Sequence, residues 1–270
     1  MEEKYRHLVT DGYQFDMGRY ISQGWDLFKK GAGSFIGFIL LYFIISFVLG
    51  LIPFVNFFAS FIQQALIAGL FLFCRNLLRQ NEEFGDFFGG FKFFGNIVGY
   101  ILLLILILIP MLALMFGALI PFELIPDLVA ADPSNMEYLL EDLAVSFAAR
   151  LPIVFLVVLL ALYIGVSYSF ALPLIADSKL GPWTAMETSR RIIGKKFFPF
   201  LGMYILMGIG AVIGIGITCG LGMLIIVPLM YCIIFSAYND ILQPEGAEIV
   251  DQLDEFGKSD TDTNTEAEEG

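Results

Sequence analysis

The chain has one histidine, three cysteines and two tryptophans in 270 residues, and over four long stretches it has no charged residue at all. A single histidine, His7 in the polar amino-terminal segment, excludes multi-histidine metal sites and leaves little for a histidine-based triad. No G-x-S-x-G, P-loop or H-E-x-x-H motif occurs, and no dinucleotide fingerprint follows a strand. No cofactor, metal or nucleic-acid ligand is therefore expected. Cys74, Cys219 and Cys232 are too few and too far apart for a disulfide framework or a zinc site, and read as small buried hydrophobes. The amino-terminal twenty residues carry Glu2, Glu3, Asp11 and Asp16 with no apolar stretch before a small-residue cleavage site, so they do not read as a secretory signal peptide.

What is present is apolar. Hydrophobic residues make up 58% of the chain and charged residues 16%, against roughly 45–50% apolar usage in soluble domains. A bilayer absorbs such a surplus, because a helix of about 20 apolar residues matches its hydrocarbon core and satisfies its own backbone. The uncharged runs are Gly31–Cys74, Phe93–Phe122, Leu151–Ala176 and Phe197–Asn239. The first and last are long enough for two spans each and the middle two supply one each. The expected fold is all-α and polytopic, with six transmembrane helices near 33–53, 57–78, 96–119, 151–175, 197–218 and 220–240 and short cytoplasmic interfacial helices. Residues 1–32 form a cytoplasmic segment, 33–243 the membrane domain and 244–270 an acidic disordered tail.

Charge sets the expected orientation. Of the 15 Lys and Arg residues only Arg150 falls outside the amino-terminal segment, the second and fourth connections and the tail. The third connection, Pro121–Arg150, is acidic, with Glu123, Asp127, Asp132, Glu137, Glu141 and Asp142. Basic short loops stay cytoplasmic, so both termini are expected inside. The net charge of −12 is mostly tail: ten acidic residues against Lys258 from Pro244 onward account for −9 and leave −3 elsewhere. Such a tail has little to bury and reads as a solvated terminus, or alternatively as a docking site for a basic protein partner.

Each odd-numbered span is led in by a segment mixing aromatic and charged residues: YISQGWDLFKK at 20–30, EFGDFFGGFKFF at 83–94 and GPWTAMETSRRIIGKKFF at 181–198. In the first, Tyr20, Trp25, Leu27 and Phe28 share an apolar face, a pattern of helices lying in the headgroup plane. With the hairpin that follows, each makes a unit, and three units suggest a weak internal threefold repeat. In the third, Pro182 and the Thr184–Glu187 capping-box spacing disagree on the helix start by a few residues. Glu187 is spaced to pair with Arg190 and Arg191.

Inside the spans the polar candidates are Gln63, Gln64, Ser167, Tyr168, Ser169 and Thr218, with Pro110, Pro173 and Pro228 able to break helices. At the cytoplasmic ends of the even-numbered spans, Arg75, Asn76, Asp177, Asn239 and Asp240 should share one membrane depth, with Arg75 facing Asp177 or Asp240. Such a ring could hold a lipid headgroup or tie the helices together. Gly210 with Gly214 and Gly216 with Gly220 have the small-xxx-small spacing of close helix packing, within the monomer or across a homodimer seam.

An aromatic span ending in Asp177, a helix with Trp183 and the Ser189–Arg190 pair, and a glycine hairpin with Gly220 and Gly222 ending in Tyr238 resemble the carboxy-terminal half of an uncharacterised family of bacterial six-span integral membrane proteins. That family is similar to the membrane domain fused to some glycerophosphoryl diester phosphodiesterases, and FGDFFGGFKFF at 84–94 is similar to its phenylalanine-rich loop. The resemblance implies a bacterial inner-membrane protein with lipid-related physiology, without the phosphodiesterase domain and its activity. The expected function is a non-enzymatic, lipid-interacting or scaffold component with membrane lipids as partners; the alternative is a permease or channel for a small or lipidic solute.

Overall fold

The computed structural model describes residues 5–52, 55–120, 126 and 136–242, which are helical apart from short connecting segments. A short helix α1 (Arg6–Thr10) and the lead-in helix α2 (Met17–Lys30) precede the hairpin α3 (Ala32–Gly50) and α4 (Val55–Leu78). A 3-10 segment (Phe84–Phe93) leads into α5 (Phe94–Leu119), followed by α6 (Met136–Ser167) and α7 (Ala171–Ala176). Then α8 (Pro182–Lys195) leads into the hairpin α9 (Phe197–Ile217) and α10 (Met223–Leu242). Six helices are long and apolar enough to cross a membrane, α6 and α7 counting as one. The acidic tail and Glu123, Asp127 and Asp132 lie outside the described residues.

The fourth span departs from expectation in two ways. It starts at Met136, well before Leu151, because EYLLEDLAVSFAAR is built of good helix formers and its charges do not stop a helix outside the bilayer. The same span breaks at 168–170. Pro173 lacks an N–H and its ring would clash with the carbonyl four residues back, so α7 restarts as a separate helix. Ser189 of α8 mends the gap: its hydroxyl donates to the Ser167 carbonyl at 2.7 Å and accepts from the Phe170 N–H at 3.1 Å. Pro110 and Pro228 sit inside continuous helices. The start of α8 is Gly181 with Pro182 in the first turn and no side-chain cap, so the Thr184 capping box does not form.

The three expected units pack in cyclic order. Each first span lies against the second span of the unit before it: α5 on α4, α9 on α6 and α3 on α10. Each lead-in does the same, the 3-10 segment on α4, α8 on α6 and α7, and α2 on α10. The second spans α4 and α10 meet at the centre with α7 against α4, and these two spans are the most buried and the least hydropathic. The outer helices carry large exposed apolar side chains such as Ile44, Phe47, Leu106, Phe116, Phe155, Val212 and Ile217, as lipid contact requires.

The lead-ins are docked, each by its own sequence device. The 3-10 segment turns once per three residues, so Phe87 and Gly90 fall on one line and both are buried. Phe87 slots between Phe38 of α3 and Phe73 of α4, stacked at 4.2 and 4.1 Å, each pair worth about 0.5–1.5 kcal/mol. A side chain on Gly69 or Gly90 would strike the opposing backbone, so glycine is what lets the two elements touch. On α2, Tyr20, Gly24, Leu27 and Phe28 are buried while Trp25 is half exposed.

The glycines of α9 separate by role. Gly214 faces Ile226 of α10, whose side-chain tip would have to move to admit a side chain there. Gly220, at φ +94°, makes the turn after Cys219, and nothing lies within contact of a side chain at Gly210, Gly216 or Gly220. The expected packing role thus holds for Gly214 alone of the four: the i+4 spacing is shared, but the rotation of α9 aims Gly210 and Gly216 outward. Cys74 and Cys232 are buried, whereas Cys219 is exposed in the turn, contrary to expectation.

Candidate functional site

The lead-ins and the carboxy-terminal ends of the second spans gather at one end of the bundle, the end that also carries most of the basic residues. There Arg75, in the last turn of α4, donates from Nη1 to Asp177 Oδ1 at 2.7 Å. The carboxylate is 4% exposed and the guanidinium 25%. Arg75 also reaches the Asn76 amide oxygen through Nε and Nη2. The second oxygen of Asp177 accepts from the Tyr238 hydroxyl of α10 at 3.1 Å. Ser178 stands 3.0 Å from Tyr238 and accepts from the Tyr5 hydroxyl at 2.9 Å. One carboxylate therefore joins the ends of all three central helices.

Asp240 is not part of this cluster. It accepts from Arg19 Nη2 of α2 at 2.8 Å, which pins the first lead-in to the last span. Asn239 is half-buried beside it and joins neither pair. Of the five residues expected at one depth, the structure thus brings Arg75, Asn76 and Asp177 into contact, sends Asp240 to Arg19 and leaves Asn239 apart.

Three participants carried no signal in the sequence. Tyr5, Tyr13 and Arg19 belong to an amino-terminal segment that runs beneath the bundle. Tyr13 donates to the Ile192 carbonyl of α8 at 3.0 Å, and Phe15 packs edge-on against Tyr20 and Phe200. Burial pushes the Tyr13 phenol up, and pushes Tyr20 up to about 12.

On the outer face of α8, Glu187 accepts from Arg190 through Nε and Nη2, both at 2.9 Å, and from Arg191 through Nε. Burial alone would raise the Glu187 carboxyl, but the hydrogen bonds from both arginines hold it below its ordinary range. Along this stripe Trp183 and Arg191 are exposed.

Among the described residues Ser167, Thr188, Ser189 and Ser236 are buried, in addition to the Asp177 side chain and the hydroxyls of Tyr5 and Tyr238. Gln63 donates to Ser46 at 3.2 Å, tying α4 to α3, and Thr218 bonds its own hairpin. No group of three or more His, Cys, Asp or Glu among the described residues could hold a metal ion. Comparison with protein-family models, curated proteins and solved structures found no match.

Proposed function

We propose that this chain is a non-enzymatic, lipid-interacting scaffold of the bacterial inner membrane, with both termini in the cytoplasm and its three lead-in elements set at the cytoplasmic leaflet. The observation that carries the proposal is the division of labour at the basic end. Each lead-in buries one face against the bundle and leaves aromatics outward: Trp25 from α2, Phe84, Phe88 and Phe91 from the 3-10 segment, and Trp183 from α8. Lys29, Lys30, Lys92, Lys195 and Lys196 accompany them. Aromatic rings with lysines are the side chains that headgroup regions favour. The bacterial inner membrane enters this proposal through the residue-level resemblance in the sequence alone, since no family model matches the chain.

One observation favours a permease, the interruption of span four, since broken helices line many transporter sites. Here the backbone groups released at Ser167 and Phe170 are taken by Ser189, and the central helices are locked through Asp177. The scaffold reading therefore fits better. Mild extraction followed by native mass spectrometry tests it: the chain should carry phospholipid through extraction, and release of all lipid would overturn the reading.

A further inference from the structure

The outer face of α8 differs from those of the other lead-ins in charge. Trp183, Glu187, Arg191 and Lys195 follow one another at i+4 and so form one stripe along the helix. Arg190 flanks it and Lys196 follows directly before α9 begins at Phe197. Glu187, the single acid, is already engaged by both arginines. Arg191 is bonded through Nε and Arg190 through Nε and Nη2, which leaves other guanidinium donors directed away from the carboxylate. Four cations against one acid give this face a net charge of +3. The first lead-in, by contrast, pairs Lys29 with Asp26 at 2.9 Å.

The stripe also sits at a definite depth. Only Lys196 separates α8 from span five, and Phe198, in the first turn of that span, is 79% exposed. Tyr163 of α6 packs against Phe197 at 5.4 Å and places its phenol beside the Arg190 guanidinium. Cations, a phenol and exposed aromatics thus meet where a span enters the bilayer.

We propose that this face, with Arg191 and Lys195 as principal contacts and Arg190, Tyr163 and Lys196 around them, is the headgroup site of an anionic phospholipid. The inference rests on the lipid-facing reading of the lead-ins and adds a lipid class and a place. Guanidinium groups bind phosphate oxygens through paired N–H donors, lysine supplies a point charge, and Trp183 and Phe198 border the acyl region.

The test uses the full chain in lipid nanodiscs containing phosphatidylcholine and phosphatidylglycerol in equal amounts, with retained lipids weighed by native mass spectrometry after stepwise activation. The wild type should retain phosphatidylglycerol in preference to phosphatidylcholine. The double variant Arg191→Gln with Lys195→Gln should lower that preference about tenfold, and Lys29→Gln with Lys30→Gln, the same charge change on α2, less than twofold. Arg191→Lys with Lys195→Arg, which keeps the charge, should retain most of the preference and shows that loss is not misfolding. Equal loss in both Gln doubles would reduce the effect to net charge and overturn the site, as would an unchanged preference in the α8 double. Full displacement of the lipid by millimolar inorganic phosphate would overturn the lipid assignment in favour of free phosphate. Failure of the wild type to retain either lipid would instead sink the broader lipid-facing reading.

Discussion

Asp177 is the residue on which the basic end depends. Its side chain is 4% exposed, and its carboxylate leans on partners that include Arg75 and Tyr238, one at each oxygen. Removing one partner of a buried pair typically costs about 3–5 kcal/mol; with Arg75 partly solvated we expect about 2–4 kcal/mol for Asp177→Ala, read from denaturation in mild detergent. The exchange Arg75→Asp with Asp177→Arg should recover part of that loss, and a swap as unstable as the sum of its single variants would deny the coupling. Tyr20 gives a second prediction at this scale. Its folded pKa of about 12 exceeds the ordinary 10 because burial disfavours the phenolate. The stabilising contribution is thus complete below pH 10 and lost as pH rises to 12. Tyr20→Phe removes that loss together with the hydroxyl's bond to the Gln14 carbonyl, so the difference in thermal stability between wild type and variant should be constant below pH 10 and change only above it. Parallel pH profiles would show that Tyr20 is not buried against α10.

Helices show where sequence patterns stop. Long uncharged runs locate spans well, because hydrocarbon admits little else, and Arg75, Asp177 and Asp240 all stand just where an apolar run ends, which offered Arg75 two partners without choosing between them. Rotation about a helix axis is another matter. Gly210, Gly214 and Gly216 look alike in spacing, yet only Gly214 abuts Ile226, and nothing local tells them apart. Gly214→Leu should destabilise the α9–α10 hairpin by about 1–3 kcal/mol through overpacking, whereas Gly210→Leu should change detergent stability little; equal effects would contradict the assigned face. Pro173 was one of three prolines able to break a span, and Pro110 and Pro228 stay inside continuous helices; the repair by Ser189, from a different unit, carried no local signal. The early start of α6 escaped notice because charge in EYLLEDLAVSFAAR read as loop, though charge bars a segment from lipid and not from helix.

At the scale of the whole molecule, the cyclic docking of each unit on the one before explains why the lead-ins are both buried and exposed. Their inner faces close the basic end, and their outer faces have no protein left to cover them among the described residues. Aromatic and basic composition picked out the three lead-ins, while their docking partners α10, α4 and α7 depend on contacts between distant segments that no local pattern encodes. The two tryptophans of the chain, Trp25 and Trp183, sit on two of these outer faces, so their fluorescence reports the environment of the lead-ins without added labels. In proteoliposomes containing phospholipids brominated near the carbonyl end of the acyl chain, both should be strongly quenched, with Trp25→Phe and Trp183→Phe separating the two signals. Emission that brominated lipid leaves untouched and aqueous iodide quenches freely would place the lead-ins in water and contradict the account.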